Sequence, residues 1–361
     1  MENKGLSSRQ IGMAFTGSFL GAGFISGQEL MQFFGIFGYY GILGMVISIT
    51  LFSFFGSFVM KIARETGIEE FDKIIVKNDI AWLRGIFGMV FILFLFGVII
   101  IMLAGAGALL HQLFALPKIL GNLLTGIGLS LVALWGVGAV LKAFSITVPL
   151  LISVGVITSL LSFFTLKGNV ITGGAFSGTN PFLGNWVLSM IAFVSYNMMA
   201  AISILVPIAS DIREKKTIDG GIFRGTIQFT IVFACLLLPI VLNLDMVLGA
   251  DLPMVTLAGN IHPILGWIYG VLLYLGMFGS GLSCLYGVTL RIKKYKNMDG
   301  KRLIIGLVSL AFLGSIAGFK ELISILFPVF GYIGFFGLIG ILLHYISIRK
   351  ESAIKAHLMD K

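Results

Sequence analysis

Ten apolar stretches, each about long enough to cross a bilayer as a helix, constrain this chain more than any other feature. They fall at 10–34, 39–62, 84–114, 118–141, 146–166, 186–209, 221–242, 262–290, 302–318 and 322–348. In lipid the backbone N–H and C=O groups must be paired internally, and a helix does this within one segment. The expected fold class is therefore an all-α integral membrane protein with ten transmembrane helices. Composition excludes a soluble alternative. Of 361 residues 58% are hydrophobic and 11% charged, against about 25% charged in ordinary globular chains. The first run lacks an A-x-A-like end, so it is expected to be a retained span and not a cleaved signal.

Charge placement sets the orientation. Of 25 Lys and Arg, only Lys118, Lys167 and Lys320 fall on one side of the ten-span layout. The excess on the other side marks it as cytoplasmic and puts both termini there. The net charge of +9 thus reflects topology. Short basic clusters between spans do not make a nucleic-acid surface. Cys235 and Cys284 sit in apolar runs and read as small buried hydrophobes. His111, His262, His344 and His357 fall near helix ends or in the tail and read as interfacial. No metal-binding, nucleophilic-triad, Walker or dinucleotide pattern stands in its required context. The reading is a non-enzyme without a cofactor, whose partners are a small-molecule substrate and the lipid bilayer.

The first span carries the strongest local signal. Gly17, Gly21, Gly23 and Gly27 lie within Thr16–Glu29. Each costs about 1 kcal/mol of helix stability relative to alanine, so a break near the midplane is expected. Unwound backbone is tolerated at that depth where it faces protein or a water-filled cavity. Glu29, flanked by Gln28 and Gln32, is the one acidic residue placed inside a span. Such a charge faces a cavity or a partner. The sixth span has Ser195-Tyr196-Asn197 at its centre, the polar counterpart of the first. Two sets of five spans are necessarily inverted, and paired interrupted helices in inverted repeats point to a solute site. The expected organisation is a first repeat at 1–167, an outer connecting loop at 168–185, and a second repeat at 186–361 ending in a short cytoplasmic tail. Spans 1 and 6 are both expected to be interrupted.

Other features complete the layout. Ser280, Ser283 and Cys284 form a small polar cluster in the eighth span. Gly35, Gly38, Gly41, Gly44 and Gly331, Gly334, Gly337, Gly340 recur every third residue and read as close-packing faces. Residues 65–83 suggest an amphipathic cytoplasmic helix lying on the bundle or the membrane. The loop at 243–261 is long enough to act as a lid.

The run Gly21-Ala22-Gly23-Phe24-Ile25-Ser26-Gly27-Gln28-Glu29, followed by Gln32-Phe33-Phe34, resembles the first-helix signature of the YkvI family of bacterial membrane proteins. That family is classed with amino-acid permeases of the amino acid–polyamine–organocation superfamily. The resemblance implies the LeuT-type five-plus-five inverted-repeat fold and a multi-pass place in the bacterial cytoplasmic membrane. It also implies, by position, a sodium site at Gly17, Leu20, Ser280, Ser283 and Cys284. There Cys284 replaces a hydroxyl and is a poor ligand for a hard ion. The alternative coupling ion is a proton, with Glu29 as carrier. The substrate is expected between the two breaks, at Gly21, Ala22, Gly23, Ser26, Tyr196 and Asn197, with backbone N–H groups meeting a carboxylate. In LeuT-type transporters the outer ends of helices 1 and 10 approach on closure, so Glu29 and Lys320 are expected to pair as an outer gate. The functional expectation is an ion-coupled secondary transporter of a small polar or zwitterionic solute, an amino acid or related amine. The rival is a nutrient sensor of the germinant-receptor type, which binds without net transport.

Overall fold

The computed structural model describes residues 6–68, 70–76, 80–135, 138–166, 180–210, 212, 214–295 and 298–359. The first span opens with a capping box, Ser7 Oγ accepting from Gln10 N while the Gln10 side chain accepts from Ser7 N. It then runs as three pieces, α1 (Ser8–Phe19), α2 (Ala22–Ile25) and α3 (Gln28–Phe33). A 3-10 turn at Gly35–Phe37 leads to α4 (Tyr39–Thr66), α5 (Phe71–Ile75), α6 (Ala81–Phe114), α7 (Lys118–Trp135) and α8 (Gly138–Thr165). The remainder is α9 (Trp186–Ser210), α10 (Lys215–Leu242), α11 (Leu244–Val247), α12 (Pro253–Ile261), α13 (Pro263–Tyr295), α14 (Gly300–Ser315) and α15 (Phe319–Met359).

Among the described residues eight helices are long and apolar enough to cross a membrane. The other two expected spans fall short for visible reasons: the glycine-rich first is cut into α1–α3, and α14 has 16 residues. The chain is a multi-pass membrane protein with long apolar helices.

The core gathers around α9, which packs between α4 and α15, while α1 lies along α10 and α13 along α6. Its centre is aromatic. Phe19 and Phe52 approach to 4.4 Å, Phe34 and Phe193 to 4.8 Å, and Phe24 and Phe233 to 5.2 Å between ring centroids. In lipid such packing, not hydrophobic expulsion, holds helices together. The third-residue glycines of α15 serve it: a Cβ at Gly331 would lie 2.5 Å from Ala192 O, and one at Gly340 would lie 2.6 Å from Ile75 O.

Three expectations are corrected. The sixth span is not interrupted: α9 runs unbroken through Ser195, Tyr196 and Asn197. It has no glycine there, and its polar side chains bond back to their own helix, Ser195 Oγ to Ile191 O (2.7 Å) and Asn197 Nδ2 to Phe193 O (3.0 Å). The amphipathic helix expected within 65–83 is short, among the described residues only α5, and it docks on the bundle with Ile74 and Ile75 buried. His344 is not interfacial. It is 4% exposed on α15 and its Nδ1 lies 2.8 Å from Ile74 O. The connecting loop expected at 168–185 lies mostly outside the described residues.

Candidate functional site

The first span breaks twice. At Leu20–Gly21 the backbone leaves the helix, and Gly21 N–H donates to Phe19 O. At Gly27 it turns left-handed, with φ +82°. The short α2 between the breaks is tied from outside itself. Tyr269 of α13 donates its hydroxyl to Ile25 O at 2.7 Å, and Met254 N–H of α12 donates to Ser26 O at 3.1 Å. Both bonds satisfy carbonyls that a continuous helix would have paired internally.

A cavity of about 410 Å³ lies beside the first break. It brings together Gly21, Ala22, Gly23, Tyr196 and Asn197 with Gly17, Leu20, Ser280, Ser283, Cys284 and Glu29. The cavity extends past Phe91, Ser203 and Ile204, toward the end of the bundle that carries α5. Its volume falls in the range of small-molecule sites.

Two expected residues are not in it. Ser26 is fully buried and serves the backbone, its Oγ donating to Gly23 O (2.6 Å) and accepting from Gln28 N (3.2 Å). Lys320 is half-buried and donates to Leu248 O at 3.2 Å. Among the described residues Glu29 and Lys320 therefore form no ion pair. Glu29 instead folds back over Gly23, where a Cβ would stand 2.1 Å from its Oε1. Its Oε2 accepts the Tyr196 hydroxyl at 2.6 Å. Only the missing Cβ at Gly23 leaves room for this carboxyl.

Closure at the end opposite α5 uses different groups. With its amide turned so that the nitrogen faces these acceptors, Gln28 donates to Ala250 O (3.2 Å) and Asp251 O (3.3 Å). Lys118 pairs with Asp251 at 2.5 Å, and Gln112 Nε2 donates to Thr256 Oγ1 at 3.2 Å. The 243–261 segment thus sits as a lid across α3. Since the Lys118–Asp251 pair is partly exposed, it is worth about 0–1 kcal/mol. Asp251→Asn should raise the fraction open at this end by about fivefold at most, read as thiol labelling beneath the lid. The effect should shrink in high salt.

The donor set fits a hard cation only in part. Ser283 Oγ is already donating to Gly279 O at 2.9 Å, which leaves its lone pairs free to coordinate, whereas the Cys284 sulfur is soft. Among the described residues no group of three His, Cys, Asp or Glu could hold a metal ion.

Sequence reasoning missed the walls Phe91, Phe94, Met102 and Phe327, which are indistinguishable from ordinary span residues. It also missed Tyr269, although a tyrosine hydroxyl within an apolar run signals a buried partner. A further expected outcome follows from Gly23. Gly23→Ala should displace the Glu29 carboxyl and reproduce Glu29→Gln in any binding assay. The double variant should be no worse than either single one.

No family model matches the chain. It is 28% identical over 353 residues to the uncharacterized membrane protein YkvI of Bacillus subtilis, covering 98% of this chain and 100% of that protein. It is 27% identical over 333 residues to the uncharacterized protein YyaD of the same organism, covering 91% and 94%. Among solved structures it is similar to the Eremococcus coleocola manganese transporter, with TM-score 0.64 and 15% identity over 93% of this chain and 78% of that one. It is also similar to MhsT in complex with L-phenylalanine, with TM-score 0.60 and 16% identity over 92% and 87%. The chain resembles YkvI across its length and has LeuT-fold neighbours.

Proposed function

We propose that this chain is a secondary active transporter of the bacterial cytoplasmic membrane. It moves a small amine-bearing solute, an amino acid or related amine, by ion-coupled alternating access. One observation carries the reading: the break in the first span opens into a cavity that extends toward one end of the bundle, while a lid covers the other end. That is the arrangement expected of one half of an access cycle, and the two LeuT-fold neighbours support it. The two repeats, 1–167 and 186–361, would rock against one another about the cavity, with both termini cytoplasmic. Glycine at 21 leaves room for the solute beside Ala22, Tyr196 and Asn197, glycine at 23 makes room for the Glu29 carboxyl, and Ser26 braces the break. The coupling ion is sodium at Gly17, Leu20, Ser280, Ser283 and Cys284, or a proton carried by Glu29. Lys320 holds the lid through Leu248 in place of a pairing with Glu29. An amino-acid or amine cargo suits the cavity better than a transition metal, because its lining offers a single carboxylate and no histidine among the described residues.

The test is counterflow in proteoliposomes. Internal unlabelled solute should drive transient accumulation of labelled solute, and an imposed sodium or proton gradient should enhance it. A panel of amino acids and amines that binds without any counterflow would leave a sensor and end the transport reading.

A further inference from the structure

We infer that the cavity selects a compact organic cation, an amine without a carboxylate, with Glu29 as its counter-charge. This rests on the reading of the cavity as the solute site and narrows its substrate class. Among the described lining residues Glu29 is the one carboxylate, and there is no lysine, arginine or histidine. Arg291 lies over the Phe91 ring, 4.6 Å from its centroid, but is not part of the lining. Glu29 is 5% exposed and takes part in no ion pair among the described residues.

The position of this carboxyl decides the class. A zwitterion's carboxylate would be expected beside Gly21–Gly23, yet Glu29 Oε1 already packs against Gly23 and Tyr196 holds the other oxygen. A second carboxylate there meets a like charge within a few ångströms and finds no basic side chain. The same carboxyl attracts an ammonium group. The remaining walls suit the rest of such a solute. Tyr196 stacks on Phe327 at 4.6 Å with an interplanar angle of 10°, and Phe91, Phe94 and Met102 complete an apolar and aromatic surface. Aromatic faces stabilise desolvated cations and make no use of a carboxylate.

The experiment compares each amine with its carboxylated partner on purified full-length protein by ligand-dependent thermal stabilisation. The pairs are isoamylamine and leucine, phenethylamine and phenylalanine, putrescine and ornithine. At least one amine should stabilise the protein at a concentration about a hundredfold below that needed by its partner. Its effect should vanish in Glu29→Gln and partly persist in Glu29→Asp. The inference is overturned if amino acids stabilise as well as their amines, if no amine stabilises the protein, or if the amine effect survives Glu29→Gln. The paired comparison needs only the unmodified chain, so a variant that fails to fold leaves it standing. Amine binding without counterflow removes transport and keeps this inference. Counterflow of amino acids alone does the reverse.

Discussion

Gly21→Leu is expected to reduce solute binding and uptake by at least about a hundredfold, equivalent to ~2.7 kcal/mol, while the protein inserts and melts almost as before. Two features make this separation sharp. Gly21 has φ −80° and ψ 165°, a conformation open to any L-residue, so leucine imposes no backbone strain. A Cβ at Gly21 meets nothing within 4 Å, so the side chain enters empty space. That space is the cavity, and the leucine would occupy part of its 410 Å³. Radiolabelled uptake and a thermal melt on the same preparation check both halves. Full uptake would remove the first break from the solute site.

Gly27→Ala should act on the other break and in the opposite manner, through the fold. At φ +82° an alanine is strained by about 1–2 kcal/mol. Its Cβ would also lie 2.8 Å from Met254 Cγ and 2.9 Å from Ile240 Cδ1, and overpacking of that kind costs about 1–3 kcal/mol. Gly67→Ala separates the two contributions, because Gly67 has φ +66° with nothing within 4 Å and carries strain alone. The melting temperature should therefore fall more for Gly27→Ala than for Gly67→Ala. Only the clash with Met254 on α12 is relieved when the lid lifts. Gly27→Ala should thus shift the protein toward the lid-open state by about tenfold for each 1.4 kcal/mol of clash. Faster thiol labelling of Gln32→Cys, a position 7% exposed beneath the lid, would report it, while Gly67→Ala should leave that rate unchanged.

The parts of the site that were legible in the sequence are those where one residue type carries the constraint. Glycine clustering announced the first break, and a lone acid marked Glu29. The small polar clusters in the sixth and eighth spans pointed to Tyr196, Asn197, Ser280 and Ser283, all of which line the same cavity. What was not legible depends on contacts distant in the chain. Polarity alone suggested a break at Asn197, but a side chain that bonds Phe193 O is polar without unwinding anything. Glu29 was expected to look outward to Lys320. Its inward turn depends on the absent Cβ at Gly23 and on a tyrosine 167 positions away. The lid latch joins Lys118 to Asp251, 133 positions apart, and neither residue has a local signature. For the same reason the ten-span reading overran what each helix provides by itself. Among the described residues eight segments qualify on length and hydropathy, while the first owes its place to neighbours that hold its pieces.

Side-specific labelling of a cavity cysteine tests alternating access most directly. Ala200 lines the cavity on α9. With Cys235 replaced by alanine and Cys284 by serine, Ala200→Cys would be the only thiol. A membrane-impermeant maleimide should reach it from the α5 side in the state described here and, in a second population, from the lid side, with bound amine slowing both reactions. Labelling from one side only, unchanged by any amine or by sodium or proton gradients, would contradict the account.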